Sequence, residues 1–290
     1  FADSSAIPTT LVSKFARQRV TVALSADGGD ELFYGYTSYA QLGRRMSRLQ
    51  HLPPSLRKVC AAGLRAAAAI TPSALIRHRQ MFNGLAAALD RSDKAMARKL
   101  HVVARSLPRD YQRALFQGFV QAEVERPLLS PHTSELLDEA TAWDYGHYLV
   151  GDILTKVDRA TMSVSLEGRE PLLDHRIAEF AARLPEQYKT QGATQKRILR
   201  DVVHRQVPPE IMAGPKRGFS VPVLKWLRED LSDLVEAHLS EEALDRTGCF
   251  QTQPVRRLVT DFMCSRLHYS PLIWKLLMYQ MWHQRWMQPD

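Results

Sequence analysis

The run Val20-Thr21-Val22-Ala23-Leu24 is the one clear strand signal in a chain whose remaining periodicity is helical. Its uninterrupted β-branched and apolar character is that of a strand buried in a parallel sheet. Such a strand cannot stand alone, because its backbone N–H and C=O groups need partners. Neighbouring strands must therefore come from segments without an obvious strand pattern, or from sequence outside these residues. The turn after the strand constrains the chain further. Ser25-Ala26-Asp27-Gly28-Gly29-Asp30-Glu31 crowds three carboxylates and two adjacent glycines onto one tight turn. Taken alone, the segment reads as well as a solvated acidic turn as it does as a site. At the carboxyl end of a strand, however, it has a coherent chemical use. Glycines let backbone approach a phosphate, and the N–H groups opening the next helix favour anions. Carboxylates beside phosphates need a divalent cation between them. Mg²⁺ takes one or two carboxylates together with phosphate oxygens, which makes Asp30 a candidate ligand.

Helical periodicity covers most of the remainder. Ala6 to Gln18 reads as a helix with Pro8 in its first turn, and Glu31 to Arg48 as the helix after the acidic turn. Further helices are expected over 55–70, 73–90, 92–105, 111–125 and 133–150, broken at Pro53-Pro54, Pro72, Pro108, Pro127 and Pro131. Asp152 to Leu166 carries an apolar stripe, and Glu167 to Pro171 reads as a loop. Asp174 has the place and chemistry of a helix cap. Helices are also expected over 196–206, 222–239 and 270–287, with a basic loop at 214–219.

A chain of 290 residues, 45% hydrophobic, can bury a sizeable core as one large domain or two small ones. The longest apolar stretch, Val59 to Ile70, contains Arg65 and is too short to span a bilayer. Phe1-Ala2-Asp3-Ser4-Ser5 has neither the basic nor the apolar region of a secretory signal. Cys60, Cys249 and Cys264 form no CxxC pair, which fits a reducing, cytoplasmic compartment. The net charge of +8 is concentrated: residues 41–113 hold fifteen Arg and Lys against Asp90, Asp93 and Asp110. That region lacks interleaved aromatics and any nucleic-acid-binding signature, so it reads as solvated helix faces rather than a nucleic-acid interface.

Several motifs together carry a resemblance. LSADGGDELFYGY (Leu24–Tyr36) resembles the LSGDGGDELFGGY segment of glutamine-hydrolysing asparagine synthetases. DILTKVDRATMSVSLEGREPLLDHRIAEFAARLP (Asp152–Pro185) resembles the family's KVDRxSMxxSLExRxPFLDHRxxEFAxxLP. Gln195 to Arg200 resembles its K-x-x-L-R helix start, and Pro208–Ile211 and Pro215–Pro222 resemble LPxEI and RPKxGFxVP. Order and spacing agree from Phe1 to about Leu231.

The resemblance implies an α/β fold of the adenine-nucleotide α-hydrolase kind, an N-type ATP pyrophosphatase, although this chain is mostly helical with one clear strand at 20–24. It implies that residues 1–290 form the C-terminal part of a synthetase, with the basic helical region at 41–113. The implied activity is ATP- and Mg²⁺-dependent: a carboxylate, aspartate in the family, becomes an acyl adenylate that ammonia attacks. A separate glutaminase domain supplies the ammonia from glutamine. Position by position, Asp30 matches the Mg²⁺-associated carboxylate. Asp27 stands where the family contacts the substrate amino group or assists deprotonation. Lys196 matches the lysine that stabilises charge at the adenylate, and Glu167 a carboxylate acting with the Asp27 position in β-lactam-forming relatives. Ser25, Ala26 and Gly28 would lie by the nucleotide, with Lys216 and Arg217 at the pyrophosphate exit. A homodimer is compatible with the resemblance; a membrane or nucleic-acid partner is not implied.

Each residue also has a plainer structural use. Lys196 fits a solvated helix face, Glu167 and Arg169 an ion pair, and Asp158 and Arg159 a helix bridge. His175 has no nucleophile to activate. The family's SGGxDS pyrophosphate loop and glutaminase segment do not occur in these residues, and the resemblance places both upstream of Phe1. A family ligase with another acceptor, of the peptide-cyclising or β-lactam-forming type, and an inactive interaction module are the alternative expectations. Ala26 and Tyr34 replace family glycines. Alanine costs about 1 kcal/mol where φ is positive, and Tyr34 is expected to add bulk beside the loop.

Overall fold

The computed structural model describes residues 1–50, 52–71, 82–83, 85–86, 89, 109–118, 137–192, 194–212, 214, 219–264 and 270–287. The helices expected over 92–105, most of 73–90, and Lys216 and Arg217 lie outside the described residues. The chain divides into two compact units, one of 1–18, 109–123 and 217–290, the other of 19–108 and 124–216.

The first unit is helical. Ala6–Arg17 begins where the sequence predicts, with Pro8 in its first turn. The expected single helix over 222–239 is two, Val223–Arg228 and Ser232–His238. The 240–264 region adds Glu241–Thr247, capped by Ser240 and closed by Gly248 at φ 69, and Thr252–Met263. In the latter, Val255, Leu258, Val259 and Phe262 are buried at the i, i+3, i+4, i+7 spacing of one helix face. Helix Ser270–Met287 buries Leu272, Ile273, Trp274, Leu276 and Leu277. Arg109–Leu115 is tied in through Gln251, whose backbone N–H donates to Leu115 O at 2.8 Å, and through the Phe116–Phe250 bridge. No helix among the described residues is long and apolar enough to cross a membrane.

The second unit contains the sheet. β1 (Val22–Leu24) runs parallel to β2 (Glu167–Arg169), with Val22, Ala23 and Leu24 opposite Glu167, Gly168 and Arg169. Glu167 N donates to Thr21 O at 2.9 Å, and Ser25 N to Arg169 O at 2.8 Å, extending the ladder at both ends. The expected loop at 167–171 is thus the missing partner strand. Glu-Gly-Arg carries no apolar alternation, so only its backbone pairing reveals it. The expected full burial of β1 is not found: Val20 and Val22 are exposed, and Leu24 is 73% exposed. One short neighbour satisfies the backbone on one edge without covering the side chains.

Helix also departs from expectation where the backbone turns left-handed. The predicted helix from Glu31 to Arg48 splits into Gly29–Leu32 and Thr37–Gln50, because Tyr34 sits at φ 55 between them. Asp138–Trp143 passes through an 11-residue π-helix, Asp144–Leu154, into Thr155–Met162. The wide π turn carries Gly151 within the helix, where a break was expected. After His175–Arg183 and Glu186–Lys189, β3 (Thr190–Gln191) and β4 (Thr194–Gln195) form an antiparallel hairpin that leads directly into Lys196 and helix Arg197–Val203.

Candidate functional site

The acidic turn leaves the carboxyl end of β1, the place where parallel sheets receive ligands. Ser25 donates its hydroxyl to Asp27, and Gly29 N donates to Ala26 O at 3.2 Å. Gly28 takes φ 86 and caps helix Gly29–Leu32. A Cβ there would strike the Leu173 side chain, so both backbone and space require glycine. Ala26 is not among the positive-φ residues, so its replacement of the family glycine carries no left-handed strain.

Asp30, in the first turn of that helix, pairs with Lys196: Nζ lies 3.0 Å from Oδ1, and both side chains are about three-quarters buried. Lys196, which the resemblance matches to the charge-stabilising lysine and whose plainer use was a solvated helix face, is therefore paired with the predicted metal ligand, 166 positions away in the chain. Lys196 itself has φ 54, an unusual conformation for a non-glycine residue. Gly35 closes the pair from one side. Its N–H donates to Asp30 O at 2.8 Å, and a Cβ on Gly35 would fall within 3.0 Å of Asp30 Oδ1, Lys196 Cε and Asp30 Cα. Gly29 borders the same pair, its Cβ direction 3.7 Å from Lys196 Nζ.

Glu167 is placed differently from Asp27. It opens β2 level with Val22, and Arg169 donates from Nε to its Oε1 at 2.7 Å on an exposed face. Side chains alternate across a strand, and Glu170 lies on the other face, its Oε1 3.4 Å from where a Cβ on Gly168 would project. Glu170, just past the carboxyl end of β2, has its carboxyl pKa raised above 4.5, first by burial and then by the negative charge of Asp27. Asp27 thus acts on Glu170, whose position in the SLEGREP motif gave no sign of it.

Beneath the turn lies a buried layer that the sequence did not single out. Glu31 is 2% exposed and accepts from the Tyr36 hydroxyl at 2.6 Å. Burial raises its carboxyl above 4.5 against that hydrogen bond, and burial followed by the Glu31 charge raises the Tyr36 phenol. Tyr39 donates to the buried Asp144 of the π-helix, and Tyr148 meets Tyr36 edge-on. Tyr34 does not add bulk beside the loop, as its sequence position suggested; it is 1% exposed and donates to buried Asp138 at 2.7 Å.

The remaining candidates take structural places. Asp174 caps helix His175–Arg183 by accepting from Arg176 N at 2.9 Å, and the Arg176 side chain and backbone hydrogen bonds hold its carboxyl well below the usual range. Arg159 and Asp158 form an exposed pair at 3.6 Å, and His175 is exposed beside Asp174. Among the described residues, no group of three or more His, Cys, Asp or Glu side chains could hold a metal by itself.

Known proteins are similar in sequence to this chain along nearly its whole length. The chain is 28% identical over 283 residues to asparagine synthetase [glutamine-hydrolyzing] 1 of Bacillus subtilis, covering 97% of this chain and 43% of that protein. It is 29% identical over 292 residues to a putative asparagine synthetase [glutamine-hydrolyzing] of Mycobacterium bovis, with 97% and 42% covered. A 59-residue stretch is 51% identical to putative asparagine synthetase [glutamine-hydrolyzing] 2 of Methanocaldococcus jannaschii, covering 20% of this chain and 11% of that protein. The chain thus spans less than half the length of the first two relatives. Residues 1–284 match the asparagine synthase family model, and the chain belongs to that family.

Proposed function

We propose that this chain forms part of an ATP-dependent ligase that makes an amide through an acyl adenylate, with aspartate as the carboxylate and ammonia as the amine. The observation that supports this most is the Asp30–Lys196 pair at the carboxyl end of a parallel strand, seated against Gly35. A polyanionic phosphate and an anionic carboxylate repel each other, and their reaction needs fixed positive charge. In this reading Asp30 holds Mg²⁺, which supplies neutralisation of phosphate charge when bound. Lys196 turns its ammonium towards the α-phosphate and leaving pyrophosphate. Ser25, Ala26 and Gly28 line the nucleotide side with their backbone, and Lys216 and Arg217 add charge where pyrophosphate departs.

The aspartate carboxylate oxygen attacks the α-phosphorus; the new C–O–P bond forms as the bond to the β-phosphate oxygen breaks. Ammonia then attacks the acyl carbon, AMP leaves, and the nitrogen gives up a proton. Asp27 and Glu167 are assigned to the acceptor side of this second step. Glu170 joins them, since its raised pKa suits a proton acceptor better than that of a fully solvated carboxylate. The ammonia source in this reading is glutamine, which the relatives are named as hydrolysing, through a glutaminase acting in cis or in trans.

Pyrophosphate exchange into ATP tests the reading in the longest form of the protein. Aspartate- and Mg²⁺-dependent exchange, lost in Asp30→Asn, is the expected result. Exchange that survives Asp30→Asn, or that needs a different carboxylate, would remove the metal assignment or the aspartate assignment respectively. Residues 1–290 alone should give no turnover.

A further inference from the structure

The Asp30–Lys196 pair joins two segments far apart in the chain, and a second, fully buried contact joins the same two segments. Tyr34 lies four residues after Asp30 and one before Gly35. Its hydroxyl donates to Asp138 Oδ1 at 2.7 Å, and both residues are buried. Lys189 closes the group: Nζ is 3.7 Å from the same carboxylate oxygen and 4.6 Å from the centre of the Tyr34 ring. Lys189 is itself buried and ends helix Glu186–Lys189, from which the β3–β4 hairpin delivers Lys196. The guanidinium of Arg197 reinforces this segment by donating to Gln187 O at 3.0 Å. Asp138 Oδ2 has no hydrogen-bond partner among the described residues, so the tyrosine is the donor on which this carboxylate depends.

The backbone shows where this anchoring acts. Tyr34 and Lys196 both adopt left-handed φ, 55 and 54, which a non-glycine residue keeps only when its surroundings hold it there. Directly after the anchored Tyr34, Gly35 bonds to the Asp30 carbonyl and lies against the Asp30 carboxylate and the Lys196 stem. We infer that Tyr34, Asp138 and Lys189 form a buried clamp that positions Asp30 and Lys196 relative to one another. Tyr34 and Lys189 are then positioning residues: both are buried, and each fixes the segment that carries one member of the pair. The catalytic meaning of the clamp rests on the ligase reading above, but its mechanical claim does not.

The test has two arms. In the first, the protein is treated with an acetylating ester, and the rate at each lysine is read by peptide mass spectrometry, with exposed Lys225 as reference. Tyr34→Phe removes the hydroxyl and nothing else; it should speed acetylation of Lys196 severalfold and leave Lys225 unchanged. Equal acceleration of both lysines would mean general loosening, and no acceleration would mean that the pair is held without the clamp; either overturns the inference. If Tyr34→Phe does not fold, the triple variant Y34F/D138L/K189M removes the buried charges together, which interiors tolerate far better than one unpaired charge. It should show the same selective acceleration. The second arm measures pyrophosphate exchange in the longest form of the protein. Tyr34→Phe should lower its kcat by about 10-fold, the low end for groups that orient a metal site from behind, with KM for aspartate unchanged. A wild-type protein without exchange, combined with selective Lys196 acceleration, removes the ligase reading and leaves the clamp standing. An unchanged kcat in an exchanging enzyme overturns the positioning role of the clamp in catalysis.

Discussion

Gly35→Ala is the sharpest single perturbation of the site, because the structure separates its effect on stability from its effect on chemistry. The added methyl would fall within 3.0 Å of three atoms, two of them the ends of flexible side chains, Asp30 Oδ1 and Lys196 Cε. The third is Asp30 Cα, at 2.8 Å against the 3.4 Å of ordinary contact. The backbone shortfall is roughly 0.6 Å, and overpacking of this size costs about 1–2 kcal/mol. The side chains escape more cheaply, by rotating away from the methyl and therefore from each other. That escape opens the 3.0 Å ion pair. A displacement of about 1 Å in a reacting group can cost 100-fold in rate. The expected result is a melting temperature lowered by about 2–8 °C and pyrophosphate exchange lowered by about two orders of magnitude. Differential scanning fluorimetry and exchange kinetics on the same preparation check both. Wild-type exchange in a folded Gly35→Ala protein would refute the reasoning, since Asp30 and Lys196 would then not need the geometry that the glycine permits.

Glu170 gives a pH prediction. Its folded-state pKa is raised, so its ionisation opposes folding: the opposition is absent below 4.5 and sets in as pH rises through the raised value. Glu170→Gln should therefore raise the melting temperature at pH 8 and leave it unchanged at pH 4, and Asp27→Asn should shrink that difference by removing the neighbouring charge. The same variant separates the two strand carboxylates: if Glu170 accepts the proton from the amine, E170Q slows ammonia-dependent product formation more than E167Q does, while both keep pyrophosphate exchange. Lys189→Met leaves Asp138 as an uncompensated buried charge and should destabilise by about 3–5 kcal/mol, read by urea denaturation. Gly28→Ala combines a φ of 86 with a clash at Leu173 and should cost about 2 kcal/mol or more in the same assay.

How much of the molecule was legible in the sequence varies with the physics of each feature. The strand Val22–Leu24 inside the expected 20–24, the helix start at Ala6 and the Asp174 cap were readable because each rests on local chemistry: β-branching, proline in a first turn, a carboxylate beside free N–H groups; the helix expected from 55 begins one residue earlier, at Pro54. β2 was not readable, since Glu-Gly-Arg becomes a strand only through pairing with β1. The π-helix was missed for a related reason: residues 144–154 carry no local signal that distinguishes a wide turn from an ordinary one. Tyr34 was misread because its neighbours in the chain form the acidic turn, whereas its neighbours in space are Asp138 and Lys189. Lys189 lies in Leu184-Pro185-Glu186-Gln187-Tyr188-Lys189, where a buried lysine has no sequence mark.

The site residues show the same division more closely. Asp27, Asp30 and Lys196 stand out as candidates by type and motif, yet nothing in the chain says that a lysine 166 positions away meets Asp30 rather than solvent. That meeting depends on three long-range facts: the parallel pairing of β1 with β2, the hairpin that delivers Lys196, and the buried contact that ties Tyr34 to Lys189. Each carries part of the cost of holding a largely buried ion pair, which by itself is a weak source of stability. Gly35 links the two scales. A glycine in a turn is ordinarily explained by backbone freedom, but Gly35 is not at positive φ. Its requirement is for space, and the space it leaves is occupied by the carboxylate and lysine whose separation the proposed chemistry depends on.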